Sequence, residues 1–293
     1  MKFLQTSVLL HAFFITVAVA SGAPVAPPTA TAVNLIDTAF VASSATPNFP
    51  LVAGGVAASI VLPSEAPEVV KIAARDLAAD IVVISGVAPE ILTAIPADKN
   101  RPCVELVFAP ELAGRWEAFR LSASSNVLTI AGSDRRGLAY GIYEISRRIG
   151  VSPWSWWADV PATKRADLRF SVGDDAVDQP AVKYRGIFIN DEDWGLEPWA
   201  AKTFEPEVKN IGPKTYAKIF ELLLRLRANC IWPGMHPTTI PFHLVPGNAA
   251  TADRYAIVVG SSHAEPMLRV NGAEWKLPEQ EFKYLTHRDY VLA

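Results

Sequence analysis

Three clusters of polar side chains in the second half of the sequence have the residue types for chemistry. Asn190-Asp191-Glu192-Asp193 follows the apolar run beginning at Tyr184, Met235-His236 follows Cys230-Ile231-Trp232, and Ser262-His263-Ala264-Glu265 follows Ala256 to Gly260. Carboxylates accept hydrogen bonds from hydroxyl groups. An imidazole titrates near neutrality and, once charged, donates strongly to an anion. Side chains alternate along a strand, so Asp191 and Asp193 would share a direction if extension continues, and His263 and Glu265 have the same parity. Each has a plainer alternative: the acids as a solvated rim loop, the histidines as hydrogen-bonded core residues. Glu192 is expected in solvent, and His243 and His287 on the surface. Asp191, His236, His263 and Glu265 are also metal-ligand types, but no HExxH-like spacing occurs, and neither metal nor cofactor is expected.

The elements that must position these clusters alternate. Tyr184 to Asn190 reads as a strand, and Gly212-Pro213 opens an amphipathic helix carrying Tyr216, Ile219, Phe220, Leu223 and Leu224. Cys230 to Trp232 is a second strand, Ala249 to Tyr255 a short helix and Ala256 to Gly260 a third strand. That alternation predicts parallel strands, and the clusters then sit at strand C-termini, where (β/α) barrels carry their chemistry. Residues 183–293 number 293 − 182 = 111, whereas a complete barrel takes about 250 residues. The expectation is therefore a truncated barrel of three or four βα units.

An α/β region precedes it. Val52 to Leu62, Val104 to Phe108 and Val127 to Ala131 read as strands. Ser64 is placed to cap a helix carrying Val69, Ile72, Ala73, Leu77 and Ile81. Gly132-Ser133-Asp134-Arg135-Arg136-Gly137 leads into a second helix stopped by Gly150. The turn lacks GxGxxG, so dinucleotide binding is not expected. Val151 to Pro161 (VSPWSWWADVP) is dense in Trp and reads as packing between domains rather than a sugar platform. The resulting division is 1–20 signal peptide, 21–50 flexible leader, 51–161 α/β accessory domain, 162–182 linker and 183–293 partial barrel.

Composition narrows the class. Of 293 residues 50% are hydrophobic and 19% charged, enough apolar material for a sizeable core and too much for a disordered chain. Lys+Arg 27 against Asp+Glu 30 gives −3, leaving no cationic excess for nucleic acid. Met1 to Ala20 combines one Lys, an apolar run and an Ala18-Val19-Ala20 ending, the pattern of a cleaved secretory signal. No later run is apolar and long enough to cross a bilayer, so a secreted, extracellular protein with no membrane partner is expected. Cys103 and Cys230 do not make a disulfide scaffold, and Cys230 reads as a buried small hydrophobe.

The run YRGIFINDEDWGLEPWAAKTFEPEVKNIGP from Tyr184 to Pro213, then ELLLRLRANCIWPGMHP and GSSHAEPMLR, is similar to glycoside hydrolase family 115, the xylan α-1,2-glucuronidases. AGSDRRGLAYGIYEIS and VSPWSWWADVP resemble that family's accessory domain and its link to the barrel. The resemblance implies an inverting hydrolase that removes glucuronic acid or its 4-O-methyl ether from xylan or glucuronoxylan, with this chain as the N-terminal portion. Inversion uses two carboxyl groups roughly 6.5–9.5 Å apart. The family's Met-Arg-Gly-x-His-Asp stretch, which carries the acid, has no counterpart before Ala293, so the acid and base are expected beyond it and the fragment alone is expected to be inactive. Where the family reads Arg-Asn-Asn, this chain has Arg269-Val270-Asn271. Asp191, Asp193, His236, His263, Glu265 and Arg269 become expected substrate-binding residues, with His263 and Arg269 suited to the uronate carboxylate. Lys202, like Arg269, could attract that carboxylate, with a surface charge as the plainer reading of each; Arg185 at the opposite strand end is expected to be structural, and Trp194, Trp199 and Trp232 either stack on sugar or pack the rim. A non-catalytic secreted carbohydrate-binding relative is the alternative, and a hexosaminidase-like enzyme a more distant one.

Overall fold

A computed structural model describes residues 48–171, 177–261, 274–278, 281 and 283–292. The expected signal segment and nearly all of the leader lie outside the described residues, as do His263, Glu265 and Arg269. No described helix is long and apolar enough to cross a membrane.

The chain opens with β1 (Asn48–Ala53), β2 (Val56–Ala57) and β3 (Ser59–Val61), and α1 (Glu68–Ser85) follows. Helix α1 buries Val69, Val70, Ile72, Ala73, Leu77, Ile81 and Ile84 along one stripe, as its spacing predicts. Its start differs from expectation: Pro67 occupies the N-cap with no side-chain cap, so Ser64 does not cap it. A proline fixes φ and needs no partner for a missing N–H, which suits a helix start. Gly86 ends the helix at φ 77, a left-handed conformation favouring glycine.

Next come β4 (Ile91–Leu92), β5 (Cys103–Phe108), β6 (Phe119–Ala123), β7 (Val127–Gly132) and α2 (Arg135–Arg148). Asp134 caps α2, its side chain accepting from the N–H groups of Arg136 and Gly137, both at 2.9 Å. Strand β6, FRLSA, turns Phe119 and Leu121 inward and leaves Arg120 and Ser122 partly exposed.

Residues 162–182 are more than a connection: β8 (Leu168–Ser171) pairs antiparallel with β1, and β9 (Val177–Asp178) pairs with β6. A six-stranded sheet results, in the order β4-β3-β5-β7-β6-β9. Its β4, β3, β5 and β7 run parallel, and β6 is antiparallel to both neighbours.

The second half forms a separate three-stranded parallel sheet, β10 (Gly186–Phe188), β11 (Cys230–Trp232) and β12 (Val258–Val259), in chain order. After β10 comes a short helix α3 (Leu196–Trp199). Helix α4 (Pro213–Arg225) also lies between β10 and β11, and α5 (Asn248–Arg254) between β11 and β12. Buried Glu205 caps α4 from outside, accepting from Lys214 N–H at 3.0 Å and Thr215 N–H at 3.1 Å. Gly212 leaves room for that carboxylate, since a Cβ there would lie 2.5 Å from Oε1. Closure of this sheet into a barrel is not seen among the described residues.

One contiguous apolar core joins the halves. Helix α1 packs on α2, and α2 in turn on α4, with Tyr140, Tyr216 and Phe220 all in the one buried cluster. Trp157 Nε1 donates to Lys218 O on α4 at 3.1 Å, and Trp156, Trp157, Trp199 and Phe204 pack ring against ring. The Trp-dense connector is thus packing between the regions.

Candidate functional site at the parallel strand ends

Register sets the site. Gly186, Cys230 and Val258 lie side by side, and Phe188 lies beside Trp232. Ile231 is fully buried against the helices, so its neighbours Cys230 and Trp232 turn to the opposite, open face. Tyr184, Phe188, Cys230, Trp232 and Val258 line a cavity of about 500 Å³ there. Cys230, expected to be a buried hydrophobe, is half-buried instead because this face is open. A Cβ on Gly186 would overlap the Cys230 carbonyl.

At the N-terminal ends of the strands the accessory region supplies an ionic anchor. The fully buried Glu117 pairs with Arg136 Nε, accepts from Arg185 Nη2 at 2.6 Å and accepts from Asn229 Nδ2 at 2.8 Å. Arg185 also donates to Arg227 O at 2.7 Å, and Arg136 to Ala256 O at 3.0 Å. The approaches to β10, β11 and β12 are therefore all tied to one carboxylate. Glu117 holds a left-handed φ of 51, unusual for a residue with a side chain, with its N–H bonded to Asp134 Oδ2 at 2.9 Å. Arg185 accordingly plays the structural part expected of it. Glu117 was missed; a single acid in a loop carries no periodic signal.

At the opposite, C-terminal ends, Asp191 and His236 come together. Asp191 is 3% exposed, and its Oδ1 accepts from the His236 backbone N–H at 3.1 Å. Gly234 permits this, because a Cβ there would overlap the Asp191 carboxyl group. The other oxygen, Oδ2, is buried with no partner among the described residues. Burial first, then the neighbouring Asp191 charge, pushes the Tyr216 hydroxyl upward. His236 is half-buried, and its Nδ1 lies 2.8 Å from Thr238 Oγ1 and 3.4 Å from Thr238 N.

Asp193 does not share Asp191's direction. The strand stops at Phe188, and a turn closed by Gly195 N–H to Glu192 O at 3.0 Å breaks the alternation, leaving Asp193 exposed. Glu192 is of intermediate exposure, and Trp194 is 83% exposed beside it. His243 meets Glu274 and His287 meets Glu281, each at 3.2 Å, away from this cluster in contacts. Thr238 and Gly234 were missed, and only the interval Gly-Met-His-Pro-Thr could have hinted at a tight loop.

Among the described residues no group of three His, Cys, Asp or Glu is arranged to hold a metal. Residues 177–293 match the profile of Glycosyl hydrolase family 115. The chain is similar to a solved family GH115 4-O-methyl-alpha-glucuronidase with specificity for decorated arabinogalactans. The TM-score is 0.70 at 40% identity, covering 80% of this chain and 32% of that one. This chain thus spans about a third of that relative's length. Two other solved structures are a Streptomyces plicatus N-acetyl-beta-hexosaminidase and a GH138 enzyme targeting pectin rhamnogalacturonan II. The first scores 0.46 at 10% identity, covering 73% of this chain and 42% of the other. The second scores 0.41 at 12% identity, covering 68% and 30%. Neither bears on the fold at those scores. No curated protein matches the chain.

Proposed function

Because the chain belongs to glycosyl hydrolase family 115 through residues 177–293, we propose that its parallel strand tips form one side of a uronic-acid pocket. The reaction is inverting hydrolysis that releases glucuronic acid, or its 4-O-methyl ether, from glucuronoxylan outside the cell. The observation that carries this reading is the juxtaposition of Asp191 and His236 at adjacent strand C-termini, where (β/α) barrels gather their chemistry. The three strands are read as the opening units of such a barrel.

The roles follow from chemistry. His236 donates to an oxygen of the uronate carboxylate, and Asp193, exposed in the following turn, accepts from ring hydroxyls. His263, Glu265 and Arg269 complete the pocket, Arg269 and His263 drawing the carboxylate by charge-assisted hydrogen bonds. Asp191 is too enclosed to exchange a proton with substrate, so it holds the pocket in shape. Proton transfer belongs to a pair of carboxylates other than these, with a water between acid and base. The alternative of a non-catalytic carbohydrate-binding protein draws on the same enclosure of Asp191, which leaves these tips suited to binding.

The test is release of glucuronic acid from glucuronoxylan, measured beside glucuronate binding to the 293-residue chain. Binding without release supports the assignment of acid and base elsewhere. Release by this chain overturns that assignment, and neither binding nor release overturns the pocket.

A further inference from the structure

The Asp191 carboxylate touches the backbone of His236, and the Thr238 side chain touches its ring. From this geometry we infer that Asp191 and Thr238 are positioning residues, which together present His236 as an Nε2–H donor to the uronate carboxylate. The inference rests on reading these strand tips as a uronic-acid pocket.

Consider the ring first. Two groups of Thr238 approach Nδ1: the hydroxyl oxygen at 2.8 Å and the backbone nitrogen at 3.4 Å. The backbone group is only ever a donor. A proton on Nδ1 would point at that N–H, hydrogen against hydrogen. With Nδ1 bare, its lone pair receives the N–H and the hydroxyl hydrogen together. The neutral ring then carries its proton on Nε2, which has no partner among the described residues. A histidine's second nitrogen is set by the hydrogen bond at the first.

Backbone placement comes from Asp191. Its Oδ1 accepts the His236 N–H, and its Oδ2 has no partner among the described residues. A 3% exposed carboxylate spends itself on holding the tip of β11 to the tip of β10. Gly234 makes the approach possible. Between Asp191 and His236, sugar contact then falls to the imidazole ring.

The experiment is nitrogen-15 NMR of imidazole side chains in the 293-residue chain, comparing wild type with Thr238→Val and Thr238→Ser. Thr238 is exposed, so either substitution leaves the core untouched. The wild-type His236 ring is expected as the Nε2–H tautomer. Losing the hydroxyl is expected to lower the Nε2–H to Nδ1–H ratio about fivefold, the worth of one ordinary hydrogen bond. Serine is expected to restore it. A proton resident on Nδ1 in wild type overturns the inference, as does a ratio unmoved by valine. Titration with sodium glucuronate forms a separate arm. An Nε2 resonance that ignores glucuronate while the tautomer responds to Thr238→Val overturns the uronate reading and leaves the positioning intact.

Discussion

Arg185 Nη2 donates to Glu117 Oε2 at 2.6 Å across 68 residues of sequence, carrying the accessory region's one fully buried glutamate to the foot of β10. The same carboxylate takes Asn229 Nδ2 at 2.8 Å at the foot of β11. Both strands therefore start from positions dictated by a residue outside their own sheet.

Glu117→Ala is expected to be costly for that reason. Breaking a buried ion pair by removing one partner costs about 3–5 kcal/mol, because the remaining charge is left uncompensated. Arg136 and Arg185 keep some contact with water, at 13% and 22% side-chain exposure, so the lower end, about 3 kcal/mol, applies. Urea unfolding measures it. A loss below about 1 kcal/mol would show that the anchor is dispensable.

Gly234→Ala tests the tip. The added Cβ would overlap the Asp191 carboxyl group and must push it off the His236 N–H. Overpacking of this kind costs about 1–3 kcal/mol. The expected readouts are a lowered melting temperature and a displaced His236 amide resonance. A variant with an unmoved amide resonance argues that Asp191 does not hold that backbone.

Acid stability should respond to Asp76. Burial, and then the Glu221 charge, raise its carboxyl from 3.8 to about 6, although Tyr143 donates to it at 2.5 Å. In the unfolded chain Asp76 loses its proton first, so between those values the folded state holds more protons and stability falls as pH rises. The deficit is complete above pH about 6, with an upper bound of about 3 kcal/mol. Asp76→Asn removes the titration, so its stability advantage over wild type should grow between pH 4 and 7. Parallel curves over that range would refute the assignment.

Glu144 acts in the opposite sense. Burial works to raise it, but hydrogen bonds from Arg147 and Arg148 and the Arg227 charge prevail and hold it at about 2. The stability it gives is present above the unfolded value, about 4.3, and drains away as pH falls towards 2. Glu144→Gln should flatten the acid limb of the unfolding curve below pH about 4, as followed by circular dichroism. An unchanged limb would count against the arginine cluster as its cause.

Trp157→Phe keeps most of the aromatic packing and removes the Nε1 hydrogen bond to Lys218 O. A loss of about 1 kcal/mol is expected on thermal melting. A loss no larger than experimental scatter would mean the ring alone joins the connector to α4.

Sequence by itself determined the elements whose signals are local. Apolar spacing located α1, α2 and α4, and the alternation of elements ordered β10, β11 and β12. It also named Asp191 and His236 as strand-tip residues, and the long motifs around them carried the family. What it could not settle were relations between distant segments. Residues 162–182 carry two strands only because β1 and β6 offer unpaired edges. Asp193 parts from Asp191 because a turn intervenes, and Asp191 turns inward because Gly234, far along the chain, leaves a space for it. Glu117 gains its meaning only when Arg136, Arg185 and Asn229 converge on it, the last 112 residues away. Periodicity records which face of an element is apolar; which polar groups meet across that face depends on how the whole chain packs, because buried charges persist only where partners surround them.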